Sequence, residues 1–126
     1  MLFIINNRKG CVLDQCALSL YFVRMIKVYL SGRMSGLHRD LWRARFFGAY
    51  FGLQRHGIDA VNPADTIIAR HPWLYWIIGY RLTLWYDLRL LRSCTHIYMV
   101  GDDWHRSRGA RLERMKARQW NIRILI

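Results

Sequence analysis

A single glutamate, Glu113, stands in a chain of 126 residues that carries 20 lysines and arginines. It follows Ser107-Arg108-Gly109-Ala110-Arg111-Leu112, a turn that opens a predicted helix. A carboxylate in the first turns of a helix meets the positive end of the dipole, so Glu113 is expected to stay ionised. Beside backbone N–H groups and a serine, it can act as a nucleophile next to an anion-binding turn. The plainer reading is a surface glutamate paired with Lys116. A second carboxyl, Asp87, lies in Trp85-Tyr86-Asp87-Leu88-Arg89-Leu90-Leu91. Apolar neighbours raise a carboxyl pKa, as a general acid requires. Its plainer role is a helix cap or a salt bridge to Arg89 or Arg92. A third piece is Ser31-Gly32-Arg33-Met34-Ser35-Gly36, directly after a strand pattern. Glycines there allow backbone N–H groups to approach a phosphate. It is neither a Walker loop nor a GxGxxG loop, and a plain tight turn accounts for it equally.

The elements that must position these groups alternate. Ile26–Leu30 reads as a strand and Arg39–His56 as a helix with Leu41, Ala44, Phe47, Ala49, Phe51 and Leu53 on its apolar side, stopped by Gly57. Ile58–Val61 is a short strand ended by Asn62-Pro63. An aromatic band spans Pro72–Tyr86, with a helix expected over Arg81–Ser93. Thr95–Val100 is a buried strand, Ser107–Trp120 a helix and Ile122–Ile126 a last strand. This β-α-β-α-β-α-β order predicts an α/β, Rossmann-like (flavodoxin-like) parallel sheet of about four to five strands with helices on both faces. Ligands of such sheets bind at the carboxyl ends of the strands, where strand order reverses. Three loops reach that edge: Gly32–Gly36, Asn62–Asp65 and Gly101–Gly109. Ala110, Glu113 and Ala117 share one helical stripe, so small residues flank the glutamate and let its helix approach the sheet.

Composition narrows the partners. Hydrophobic residues make up 53% of the chain, which excludes a disordered segment. Net charge is +12, and only Lys9, Lys27 and Lys116 are lysine. Arginine binds phosphate through two oxygens at once, so anionic partners are expected: nucleotides, nucleic acid or an anionic membrane. Solubility and a bias toward arginine explain the charge as well. Cys11, Cys16 and Cys94 form no metal-ligand spacing, and His38, His56, His71, His96 and His105 are scattered. No metal and no cofactor are expected, the thiols are read as reduced, and the location as cytoplasmic. No apolar run is long enough for stable membrane insertion. Residues 1–24 carry no strong period. They are read as an N-terminal extension, with Met25 the alternative start, and residues 25–126 as one domain.

Taken together, these motifs resemble the nucleoside 2-deoxyribosyltransferase superfamily, which includes 2′-deoxynucleoside 5′-phosphate N-hydrolases, and within it a bacterial and phage branch. Members open with a Tyr-bearing strand and a Gly-x-Met-x-Gly loop; here Tyr29 precedes Gly32-Arg33-Met34-Ser35-Gly36. Asn62-Pro63-Ala64, Asp87-Leu88-Arg89-Leu90-Leu91 and Trp104…Ser107-x-Gly109-Ala110 with Glu113 follow in order. The resemblance covers roughly Ile26 to Ile126. It departs at Arg33, where the branch commonly has Pro, and at Thr95, where Asp is common. It implies that Glu113 attacks the anomeric carbon, that Asp87 assists base departure and that Tyr29 orients the glutamate. Ser107 would face the sugar 5′ end and favour a 5′-phosphate, with Arg33, Arg106 and Arg108 as candidate phosphate partners. Gly32, Arg33, Met34, Ser35, Gly36, Asn62, Trp104, Ser107, Arg108 and Gly109 would bind substrate, and the aromatic band would cover the base. The expected activity is N-glycosidic cleavage of a nucleotide or deoxynucleotide, or deoxyribosyl transfer, by a homo-oligomer, a dimer or larger. Two alternatives stand beside it: a non-catalytic nucleotide sensor or regulatory module, and a nucleic-acid-binding accessory protein, which no helix-turn-helix or zinc-finger pattern favours.

Overall fold

A computed structural model describes residues 26–66 and 70–126. Four parallel strands form one sheet in the order β2-β1-β3-β4, with β1 at Lys27–Gly32, β2 at Asp59–Val61, β3 at His96–Val100 and β4 at Arg123–Leu125. The chain is an α/β protein of Rossmann-like architecture. Among the described residues the helices are α1 (Arg39–Arg55), α2 (Pro72–Arg92) and α3 (Arg108–Gln119), with short 3₁₀ turns at Pro63–Asp65 and Trp104–Arg106. Strand order reverses between β1 and β3, so their carboxyl ends open the crevice where this architecture accepts ligands. The expectation about residues 1–24 lies outside the described residues.

The period of two along each central strand builds two cores. Tyr29, Ile97 and Met99 face one way and pack with Leu91 of α2 and Ala110 and Ala117 of α3. Leu30 and Val100 face the other way, against Phe46 of α1. Register locks the arrangement: Tyr29 pairs with Ile97, Ser31 with Met99 and Gly32 with Val100. Helices therefore cover both faces of the sheet.

Three local expectations are corrected. The first strand runs two residues beyond Leu30, because Ser31 and Gly32 find partners on β3. Ser31 thereby leaves the loop and points to the same face as Tyr29. On α1 Phe46 is buried and Trp42, Ala49, Tyr50 and Leu53 are half-buried beside it, whereas Leu41, Ala44 and Phe51 are exposed. This helix is apolar on more than one side, and the face that docks is the one whose Phe46 fills the space above Leu30 and Val100. Burying that ring contributes about 2 kcal/mol. The aromatic band is itself helical: α2 starts at Pro72 and is broken at Gly79, whose φ of 83° and ψ of 169° suit only glycine.

Candidate functional site

Glu113 sits in the middle of α3, not at its start. Ala110 and Ala117, one turn to either side, are too small to hold the helix off the sheet, and Glu113 is only 7% exposed as a result. Two hydroxyls from β1 meet its carboxyl group. Tyr29 Oη donates to Oε1 at 3.3 Å, and Ser31 Oγ donates to Oε2. Tyr29 and Ser31 are two residues apart on a strand, which puts both hydroxyls on one face. Each oxygen of the carboxyl group thus has its own donor, and the side chain is fixed from both ends.

The ionisation expected from the helix dipole is overturned. Burial pushes the Glu113 carboxyl up to about 8, aided by the negative charge of Asp87 and opposed by the Ser31 and Tyr29 hydrogen bonds. The dipole acts mainly over the first turn, and Glu113 lies beyond it. The surface pair with Lys116 is likewise absent, since the carboxyl faces the sheet. Burial alone pushes Asp87 up to about 7. Asp87 makes no ion pair with Arg89 or Arg92: Arg89 lies over the Trp85 ring and Arg92 over Trp120. Two neighbouring carboxyls that both resist ionisation near neutral pH will share a proton over that range.

Both carboxyls line a cleft of about 770 Å³ at the carboxyl end of β1. Gly32, Met34, Ser35, Ser107, Arg108 and Gly109 line it with them, as do Ser31 and Arg106. Ser107 caps α3 by accepting from Ala110 N at 3.3 Å, and its hydroxyl proton remains to be donated into the cleft. Arg39, Arg106 and Arg108 line the cleft without an ion pair among the described residues. The far wall comes from α2, where Tyr75, Trp76, Tyr80, Thr83 and Leu84 lie beside Asp87. The aromatic rings of this wall are exposed, Trp76 at 84%.

Other expected site residues stand elsewhere. Tyr29 is fully buried beneath Glu113 and touches the cleft only through it. Arg33 is held away by Asp103 at 3.4 Å and by the Ser35 carbonyl at 3.1 Å. Asp103 also binds Arg45 at 3.1 Å, tying the loops after β1 and β3 to α1. The Asn62 side chain accepts from Ala64 N and holds the turn after β2. Gly36, at φ 75°, shapes its loop away from the cleft, and Trp104 lies on the far side of α3 under Arg114. Residues not singled out from the sequence are Ser31, Thr83, Leu84 and the α1 pair Trp42 and Phe46. The sequence signal for Ser31 is its spacing of two from Tyr29, which puts both hydroxyls on one face because β1 extends to Gly32.

Gly32 shows how tightly the floor is built. A Cβ added there would lie 2.8 Å from the Val100 carbonyl oxygen and 3.3 Å from the Phe46 ring. Gly32→Ala is expected to cost about 1–3 kcal/mol through forced separation of β1 and β3. Denaturant unfolding measures this, and an unchanged midpoint would show that the floor yields.

Fold and site together define a Rossmann-like α/β domain with a hydroxyl-clamped carboxyl group at its strand-order reversal. Residues 26–126 match the family described as a domain of unknown function (DUF4406), and the chain belongs to that family. Comparison with curated proteins and with solved structures found no match. No helix among the described residues is long and apolar enough to cross a membrane.

Proposed function

We propose that this protein cleaves the base–sugar bond of a nucleotide, a deoxynucleotide above all, with Glu113 as nucleophile and Asp87 as general acid. The observation that carries the reading is the clamp: a buried carboxyl group, held by Tyr29 and Ser31, at the floor of a cleft whose other carboxyl group has a raised pKa. A Glu113 oxygen bonds to the anomeric carbon as the carbon–nitrogen bond breaks. The bonding pair leaves with the base, and the Asp87 proton goes to a base nitrogen. Water, or the nitrogen of a second base, then displaces Glu113, and Asp87 takes the incoming proton. Two displacements retain the configuration of the sugar. Tyr75, Trp76 and Tyr80 are placed to cover the base and exclude water. The homo-oligomer expected from the family resemblance has a candidate contact face on the outer side of α2, where Trp73, Ile77, Leu82 and Trp85 are exposed. Large exposed apolar patches of this kind mark protein–protein contacts.

The phosphate is assigned to the start of α3. Its free N–H groups, the Ser107 hydroxyl and the unpaired Arg106 and Arg108 offer charge-assisted hydrogen bonds worth roughly 1.5–3 kcal/mol each. The test is incubation with a panel of nucleosides and their 5′-monophosphates, with free base scored by chromatography. Release from at least one monophosphate, tenfold or more faster than from its nucleoside, is expected. Ser107→Asp places a like charge against the phosphate and should erase that preference while leaving nucleoside turnover in place. No base release from any member of the panel would overturn the catalytic reading. Monophosphate binding seen by calorimetry without release would favour a nucleotide sensor.

A further inference from the structure

The outer face of α3 has no role in the cleft. Ala110, Glu113 and Ala117 point to the sheet, so Arg111, Arg114, Met115 and Arg118 point away from it. Between them and Trp104 lies a separate hollow of about 570 Å³ whose lining contains no carboxylate. Among the described residues none of these three arginine side chains has an ion pair or a hydrogen bond. The Arg114 guanidinium lies 5.1 Å from the centre of the Trp104 ring, and its Nε is buried without an acceptor. Surface arginines on a helix are ordinarily offset by glutamates one turn away. This chain has one glutamate, and it faces inward. Three like charges over about two turns are left to repel one another within a Debye length.

We infer that this face binds a single-stranded nucleic acid, with phosphates on Arg111 and Arg118 and a base against the Trp104–Arg114 layer. The Arg111–Arg118 stripe spans about 10 Å along the helix. Arginine and aromatic planes stack unpaired bases without sequence preference, and phosphates supply the salt-dependent part of binding. A lone mononucleotide suits the face less well, because the N–H groups at the start of α3 open to the cleft instead. An anionic membrane suits it less well too, since Met115 is the one strongly exposed large apolar residue on this face. The inference does not depend on chemistry in the cleft.

The test is fluorescence anisotropy of the full chain with a labelled twelve-nucleotide thymidine strand at low and moderate salt. Kd should rise roughly sevenfold between 50 and 200 mM salt, as expected for counterions released from two phosphates of a single strand. Arg111→Ala with Arg118→Ala should weaken binding at least tenfold and flatten the salt dependence. Arg43→Ala with Arg55→Ala removes the same charge from α1 and should change Kd less than threefold. Equal losses in the two double variants would reduce the effect to net charge and overturn the assignment. So would duplex DNA binding as tightly as the single strand, or binding to phosphatidylserine vesicles but not to the oligonucleotide.

Discussion

Glu113→Gln is expected to abolish base release while making the protein more stable at alkaline pH. The amide cannot form the glycosyl ester, so turnover should fall about a thousandfold or more. Monophosphate binding should survive, because the phosphate and base contacts are untouched. Gln keeps the shape of Glu, and the Tyr29 and Ser31 hydroxyls can turn to donate to its oxygen and accept from its NH₂ group. The stability effect follows from linkage. The Glu113 carboxyl titrates near 8 in the folded protein and near 4.5 when unfolded. Below the unfolded value both states are protonated and the wild type carries no penalty. As pH rises from the unfolded value towards the folded one, the unfolded state has released its proton while the native state keeps it, so stability falls until the folded value is passed. The loss reaches on the order of 3 kcal/mol at pH 7. The variant has no such loss, so its Tm should match the wild type near pH 4 and exceed it by several degrees at pH 8. Wild-type turnover in Glu113→Gln would remove the nucleophile from the mechanism. A lower Tm at pH 8 would instead show that the clamp needs the acid.

Asp87→Asn should lower the rate by about a hundredfold to ten-thousandfold on ordinary bases, the range general acid catalysis contributes. The wild-type rate should be bell-shaped. Below about 7 the pair holds two protons and the nucleophile is blocked; above about 8 it holds none and the base leaves without a proton; between them turnover comes from the form whose one proton is on Asp87. With Asn the alkaline limb should disappear. The acid limb should remain, set by Glu113 alone, because Asp87 is itself protonated on that limb and its replacement removes no charge there. A nucleotide whose base already carries a positive charge, such as a 7-methylguanine nucleotide, needs no proton to leave and should be cleaved nearly as fast by the variant. Equal losses on both substrates would make Asp87 a structural residue.

Much of this was legible along the chain. Alternating strand and helix periods define a parallel α/β sheet, because strand and helix signals separated by glycine, proline and asparagine leave few other ways to bury both faces. Glu113 between Ala110 and Ala117 already marks the inner stripe of α3, since small neighbours and period 3.6 depend only on the sequence. Other features depended on what meets what in space. Whether Ser31 belongs to a loop or a strand is decided by its pairing with Met99, some seventy residues away. The docking side of α1 is decided by the surface offered by Leu30 and Val100, because several faces of that helix are apolar. Arg33 and Arg108 are the same residue type in similar loops. Asp103 is within reach of Arg33 and removes it from the cleft, whereas Arg108 meets no such partner. The charge state of Glu113 is the clearest case. From sequence, a glutamate near a helix start reads as ionised; the tertiary structure takes that carboxyl group out of water and sets it near Asp87, and desolvation outweighs both the dipole and two hydroxyl donors.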